Sequence, residues 1–277
     1  MPATSPASQP IPNANQETTH MLIKARTLNG YTLHSLDGEK IGRVEQFYFD
    51  DQHWTIRYLV ADTGTWLRGR QVLISPHALT VVLEDEQTIG VNLTKAQIEE
   101  SPSLESDKPV SRQFEEAYHG YYGWPMYWSG PYERGTYPFI MRSRERLQSA
   151  AHGEKAWDPH LRSTRDMTGH HIQASDGEIG HADDFVIDDE TWAIRYLIIA
   201  TRNWWPGKRV LVSPQWIERV SWDASKVFVH LSRAAIQGSP EYTETSLLTR
   251  DYETELHRHY QREGYWIDEP AAMHHSE

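Results

Sequence analysis

Two arginines, Arg57 and Arg195, stand at the same place in two stretches that repeat one another: WTIRYLVADTGTWLRGRQVLISP (54–76) and WAIRYLIIATRNWWPGKRVLVSP (192–214). A guanidinium fixed in mid-strand presents a rigid fork of donors. It can hold an anionic ligand or a partner's carboxylate, or close an internal salt bridge or cross-strand pair. Trp66, Trp204 and Trp205 fall on the loop that follows each strand, where indoles either anchor an interface or cap the sheet beneath. Tyr121, Tyr122, Trp124 and Trp128 form an aromatic run at the end of an amphipathic segment. Such a run completes a core over its own sheet, or joins the other copy or a second chain. These nine residues are the candidate interface.

Other constellations fall short of a reaction. GTWLRGRQ (64–71) spaces two glycines as a phosphate-binding loop does, but Arg70-Gln71 stands where lysine and a magnesium-binding hydroxyl are needed. Gly69 and Gly207 read more simply as strand-to-strand turns. The acidic run DDFVIDDE (183–190) lacks the alternating Asp spacing and glycine of a calcium loop, which favours a solvated hairpin turn. His257 and His259, two apart on a predicted helix, do not face one another, and His274-His275 lies in a terminal tail without a partner motif. No nucleophile elbow is visible and there is no cysteine. The sequence therefore leads to no expected catalytic, cofactor or metal residues, and to no expected enzyme activity.

Composition narrows the partners. Across 277 residues the formal net charge is −12, which repels phosphate backbones and anionic lipid, so direct DNA binding is not expected. The densest basic stretch, MRSRERLQ (141–148), is interrupted by Glu145. Apolar runs such as YLIIA (196–200) are too short to cross a bilayer, and the first twenty residues lack a secretory pattern. A cytoplasmic protein without a transmembrane segment is expected.

The elements that position these residues recur. RTLNGYTLHSLDGEKIG (26–42) aligns with RDMTGHHIQASDGEIG (165–180), VNLTKAQIEESP (91–102) with VHLSRAAIQGSP (229–240), and 111–128 in outline with 249–266. Each unit spans about 105 residues, the size of a small domain. The division is a disordered leader (1–20), a first unit with trailing helix (21–128), a linker (129–160), a second unit with trailing helix (161–266) and a tail (267–277). Asp37-Gly38 and Asp176-Gly177 mark tight hairpins. Val44 and Phe47 break the alternation of VEQFYFDD, which predicts a bulge. Trp54, Ile56, Tyr58 and Val60 are expected on one face of a strand, with Arg57 on the other. Thr94 and Ser232 are N-caps for a short helix, and Phe114, Tyr118, Tyr121 and Tyr122 make the stripe of a second. The fold class is mainly β with minor α: two small closed barrels, each followed by short helices, packing together through their aromatic tails.

The series DG, IG, FDD, RYLV, W…G and VLISP resembles the PRC-barrel domain, in both copies. That family includes the cytoplasmic domain of the photosynthetic reaction-centre H subunit, the C-terminal domain of the ribosome maturation factor RimM, and free-standing bacterial proteins of two units. The resemblance implies a binding or assembly module with a protein partner or self-association, at the cytoplasmic face of a membrane complex in one version. A ribosome or RNA-processing assembly factor and a small-ligand or metal-binding protein are the alternatives.

Overall fold

The computed structural model describes residues 21–102, 110, 112–124, 126–127, 160–201, 208–243, 246 and 248–267. The leader 1–20, residues 129–159 of the linker, Trp128, Trp204, Trp205 and residues 268–277 lie outside the described residues.

The first half runs β1 (Leu22–Lys24), α1 (Ala25–Leu28), β2 (Thr32–His34), β3 (Lys40–Asp50), β4 (Thr55–Asp62), β5 (Gln71–Ile74), β6 (Leu79–Leu83), β7 (Thr88–Val91), α2 (Lys95–Glu99) and α3 (Arg112–Tyr122). The second half repeats the order with β8 (Leu161–Ser163), α4 (Thr164–Met167), β9 (His171–Ala174), β10 (Gly177–Asp188) and β11 (Ile194–Thr201). It continues with β12 (Arg209–Val212), β13 (Ile217–Ser221), β14 (Lys226–Val229), α5 (Arg233–Gln237) and α6 (Arg250–His259). The strand orders match: β5-β4-β3-β2-β7-β6 in one sheet and β12-β11-β10-β9-β14-β13 in the other. All pairings are antiparallel except β2 with β7 and β9 with β14.

The expected closed barrels are corrected by this pairing. Each path has two ends, and among the described residues β5 does not pair with β6, nor β12 with β13, so both sheets are open. The local signals are nonetheless in place. β3 carries register shifts between Val44 and Gln46 and between Tyr48 and Phe49, the bulge that the broken alternation of its sequence implies. A Cβ at Gly42 would press into the Asp62 carbonyl, and one at Gly180 into that of Ala200, so the glycine of each "IG" pair lets neighbouring backbones approach. Thr94 forms a capping box with Gln97, and Ser232 accepts from the Ala235 amide.

The two halves trade their first strands. β1 leaves its own sheet and pairs with β10 of the other, Ile23 opposite Ile187. β8 does the converse on β3, Arg162 opposite Phe49. Between them the starts of β4 and β11 meet directly: the Ile56 amide donates to the Trp192 carbonyl at 2.8 Å, and Ile194 to Trp54 at 2.7 Å. Trp54 and Trp192 reach these positions with φ of 53° and 58°, a left-handed conformation costly for a bulky side chain and held in place by the pairing. Phe49 lies 5.8 Å from Phe185 and 6.5 Å from Trp222, and Phe47 lies 6.2 Å from Trp192. One apolar core therefore runs through both halves, from Leu28 and Phe47 to Phe185 and Leu211. Among the described residues it is these aromatics and the exchanged strands, not the aromatic tails, that join the halves.

A second, smaller core in the first half explains why β4 does not divide as its alternation suggests. Ile56, Leu59 and Ala61 belong to the main core, whereas Tyr58 and Val60 join Leu73, Phe114 and Tyr118 beneath α3. Both faces of the strand are covered. The register shift opposite Tyr48 and Phe49 moves Ile56 onto the other face from Tyr58.

Candidate functional site

Each half contains one buried polar cluster, built from a turn, a strand and a trailing helix. The turn follows β3 and β10. Asp50 Oδ1 accepts the amides of Gln52 (2.8 Å) and His53 (3.2 Å), and Asp188 Oδ1 those of Glu190 (3.1 Å) and Thr191 (3.0 Å). An aspartate that binds its own backbone two residues on is the usual chemistry of such a turn. The other carboxylate oxygen faces the strand arginine. Arg195 Nε and Nη2 donate to Asp188 Oδ2 at 3.0 and 2.7 Å, while Arg57 Nη2 donates to Asp50 Oδ2 at 3.2 Å, an oxygen that His53 Nδ1 also meets at 2.8 Å. Burial pushes the Asp50 carboxyl up, but the His53 hydrogen bond and the Arg57 charge outweigh it and hold it well below the usual carboxylate range. The guanidinium faces are used as well: Arg195 lies 4.0 Å over the Tyr265 ring and Arg57 4.2 Å over Tyr127.

One residue along each strand, the side chain turns to the helix. Tyr58 OH lies 3.0 Å from Glu115 Oε1 and 3.0 Å from His119 Nε2; Tyr196 OH lies 2.9 Å from Glu253 Oε1 and 3.0 Å from His257 Nε2. A tyrosine from the end of each tail completes the set, Tyr127 on Glu115 at 2.5 Å and Tyr265 on Glu253 at 2.9 Å. His257 Nδ1 meets the Glu263 carbonyl at 2.8 Å, and a carbonyl only accepts, so Nδ1 carries the proton. Burial lowers the His257 imidazole and raises the Glu253 carboxyl. Tyr58 and Tyr196 are pushed far above the phenol range by burial and then by the adjacent carboxylates.

Carboxylate, imidazole and phenol within hydrogen-bond reach are the materials of general acid–base chemistry. Here Tyr58, Glu115, His119, Tyr196, Glu253 and His257 are all at most 2% exposed. The cluster pins α3 and α6 to β4 and β11 in one register. Arg57 and Arg195 are spent in the turns and on the tail tyrosines, not presented to solvent.

The remaining candidates fall in separate places. Trp66 is half-buried, donates Nε1–H to the Ile41 carbonyl at 2.8 Å, and has Lys95 at 5.1 Å over its ring. Tyr122 and Trp124 stack at 4.4 Å on the first half's own sheet, beside Tyr118. Tyr121 is 41% exposed with its hydroxyl on the Gln97 carbonyl. Trp128, Trp204 and Trp205 are outside the described residues.

The loop read against a phosphate site does something else. Arg70 donates to the carbonyls of Ile98 (3.1 Å) and Ser101 (3.0 Å), and Lys208 to those of Gln237 (2.6 Å) and Ser239 (3.0 Å), so each cation neutralises the C-terminal end of a short helix. Nor is the run 183–190 a solvated turn throughout: residues 183–188 belong to β10, and of the run only Asp189 and Glu190 lie in the turn. Asp183 receives Arg26 and Arg209 at 3.1 and 2.8 Å, buried Asp184 accepts the Arg26 amide at 3.2 Å, and Asp189 accepts the Met21 amide at 2.7 Å. The acids hold β1 against β10. Among the described residues no group of three His, Cys, Asp or Glu side chains is placed to hold a metal ion, and no helix is long and apolar enough to cross a membrane.

Glu115, His119 and Glu253 are not among the sequence candidates, and His257 enters there only beside His259 as a metal ligand. Their signal was present: Glu and His recur four residues apart in both tails although the helices differ around them. No curated protein matches the chain. In the first half, residues 21–98 match the family model of the PRC-barrel domain.

Proposed function

We propose that the protein is a tandem pair of PRC-barrel domains, the second half being a diverged copy of the first, and that it is a non-enzymatic binding or assembly module for a protein partner. The observation that carries this reading is the fate of the ionisable groups shared by both halves. Asp50, Arg57, Tyr58, Glu115 and His119, and Asp188, Arg195, Tyr196, Glu253 and His257, all turn inward to fix helix on sheet. What the halves hold in common is a scaffold, which leaves the differences on their surfaces to act. The matched family supports a role in protein interaction, and the −12 charge disfavours nucleic acid as the direct target.

Affinity capture of the tagged chain from its host lysate, separated into membrane and soluble fractions, tests this. A protein recovered in stoichiometric amount, and lost on competition with untagged chain, is the expected result. Recovery of the chain alone from both fractions, together with turnover of a metabolite by the purified protein, would overturn it.

A further inference from the structure

The two sheets end on corresponding strands, β6 and β13, and these differ in one respect that matters for association. An edge strand offers an unused row of backbone donors and acceptors, and proteins protect such rows with charge. β13 is protected. It carries Glu218 and Arg219, both exposed, and the Arg219 guanidinium lies 3.5 Å over the Phe228 ring of the adjacent β14. β6 is Leu79-Thr80-Val81-Val82-Leu83, with no charged residue. The position matching Phe228 is Gly90, against which the Thr80 side chain packs. Val81 is 49% exposed and Leu83 40%, and among the described residues no strand pairs with β6 other than β7. The turn that follows exposes Glu84, Asp85 and Glu86, and no basic residue occurs from Leu79 to Val91.

We propose that β6 is a docking edge for an extended segment of a partner protein, one with alternating apolar side chains preceded by basic residues. Backbone pairing supplies affinity in this mode and alternate side chains supply selectivity. Antiparallel addition sets the N-terminal end of the incoming strand beside Glu84–Glu86, which fixes where its lysines and arginines must lie. A second copy of this chain fits less well, because it brings another −12 of net charge and no basic residue to its own β6 turn. The inference rests on the reading of the protein as a binding module and assigns that module a surface.

The test is fluorescence anisotropy of full-length protein with a labelled Lys-Arg-Val-Thr-Val-Thr-Val peptide. The variants T80E/V81R and L83S carry the residues of β13, and R219V removes the opposite edge's protection. Saturable binding is expected, weakened about tenfold or more by T80E/V81R, with L83S weaker than wild type and an unchanged melting temperature. A peptide with Glu-Glu in place of Lys-Arg should bind about tenfold less tightly. Absence of binding to wild type, or equal binding by T80E/V81R, would overturn the proposal. So would a wild-type dimer by light scattering that T80E/V81R makes monomeric, since that would give the edge to a second copy. Capture of the same lysate partner by wild type and T80E/V81R would refute the edge and leave the module reading intact.

Discussion

Asp188 has no exposed surface, and Arg195 reaches one of its carboxylate oxygens through two nitrogens. Breaking a buried pair from one side leaves an uncompensated charge, which costs about 3–5 kcal/mol. Arg195→Met should therefore cost about that amount in urea unfolding. Arg57→Met should cost less, because Asp50 keeps His53 at 2.8 Å and meets Arg57 through a single nitrogen. Equal losses in the two variants would show that the guanidinium stacking on Tyr127 and Tyr265, not the carboxylate, dominates. The sequence marked these arginines because they recur in mid-strand, and it favoured an internal salt bridge or cross-strand pair over an external carboxylate without naming the partner. That pairing depends on Asp50 and Asp188, seven residues earlier, being folded back across the turn. The Glu–His pair of each tail was legible in the same way and went unread, since a charged pair on an amphipathic helix ordinarily faces water. Here it faces a tyrosine instead.

At the scale of elements, hairpins, bulges and caps were legible because each depends on a few adjacent residues. Closure and exchange were not, because a three-residue strand carries no address for the sheet it joins. Leu22–Lys24 would pair as readily with its own β3 by pattern alone. What directs it to β10 is Asp183, Asp184 and Asp189, which bind Arg26 and the Met21 and Arg26 amides. Asp184 is the informative member: burial raises its carboxyl from 3.8 to about 6, against the Phe185 and Arg26 contacts that lower it. A raised carboxyl favours the protonated folded form, so this group's contribution is full below pH 4. It falls as pH rises through 6 and stays lost above. Asp184→Asn removes the dependence. Its stability relative to wild type should rise between pH 4 and pH 6.5 by something on the order of 2–3 kcal/mol, read from urea midpoints at each pH. A difference that stays flat across that range would mean that water reaches the carboxylate and the junction of β1 with β10 is not sealed.

For the whole molecule, the exchange changes what a repeat means. Two tandem domains joined only by a linker would unfold separately and part when the linker is cut. In this chain each half lends a strand to the other's sheet, the β4 and β11 strands hydrogen-bond across the middle, and Phe49, Phe185 and Trp192 lie in one shared core with half-buried Trp222 packed against it. Parting the halves would strip backbone partners from six strands and expose that aromatic layer at once, each buried aromatic being worth a few kcal/mol. Cutting a protease site inserted within residues 129–159 should therefore leave both fragments in one particle close to the intact 32.1 kDa, with a single unfolding transition. Light scattering after size exclusion reads the first, calorimetry the second. Fragments that elute apart would mean that each half can pair its own first strand. Joint elution with two separate transitions would place the weak point inside one half, where the open sheets end on β6 and β13, and not at the seam between the halves.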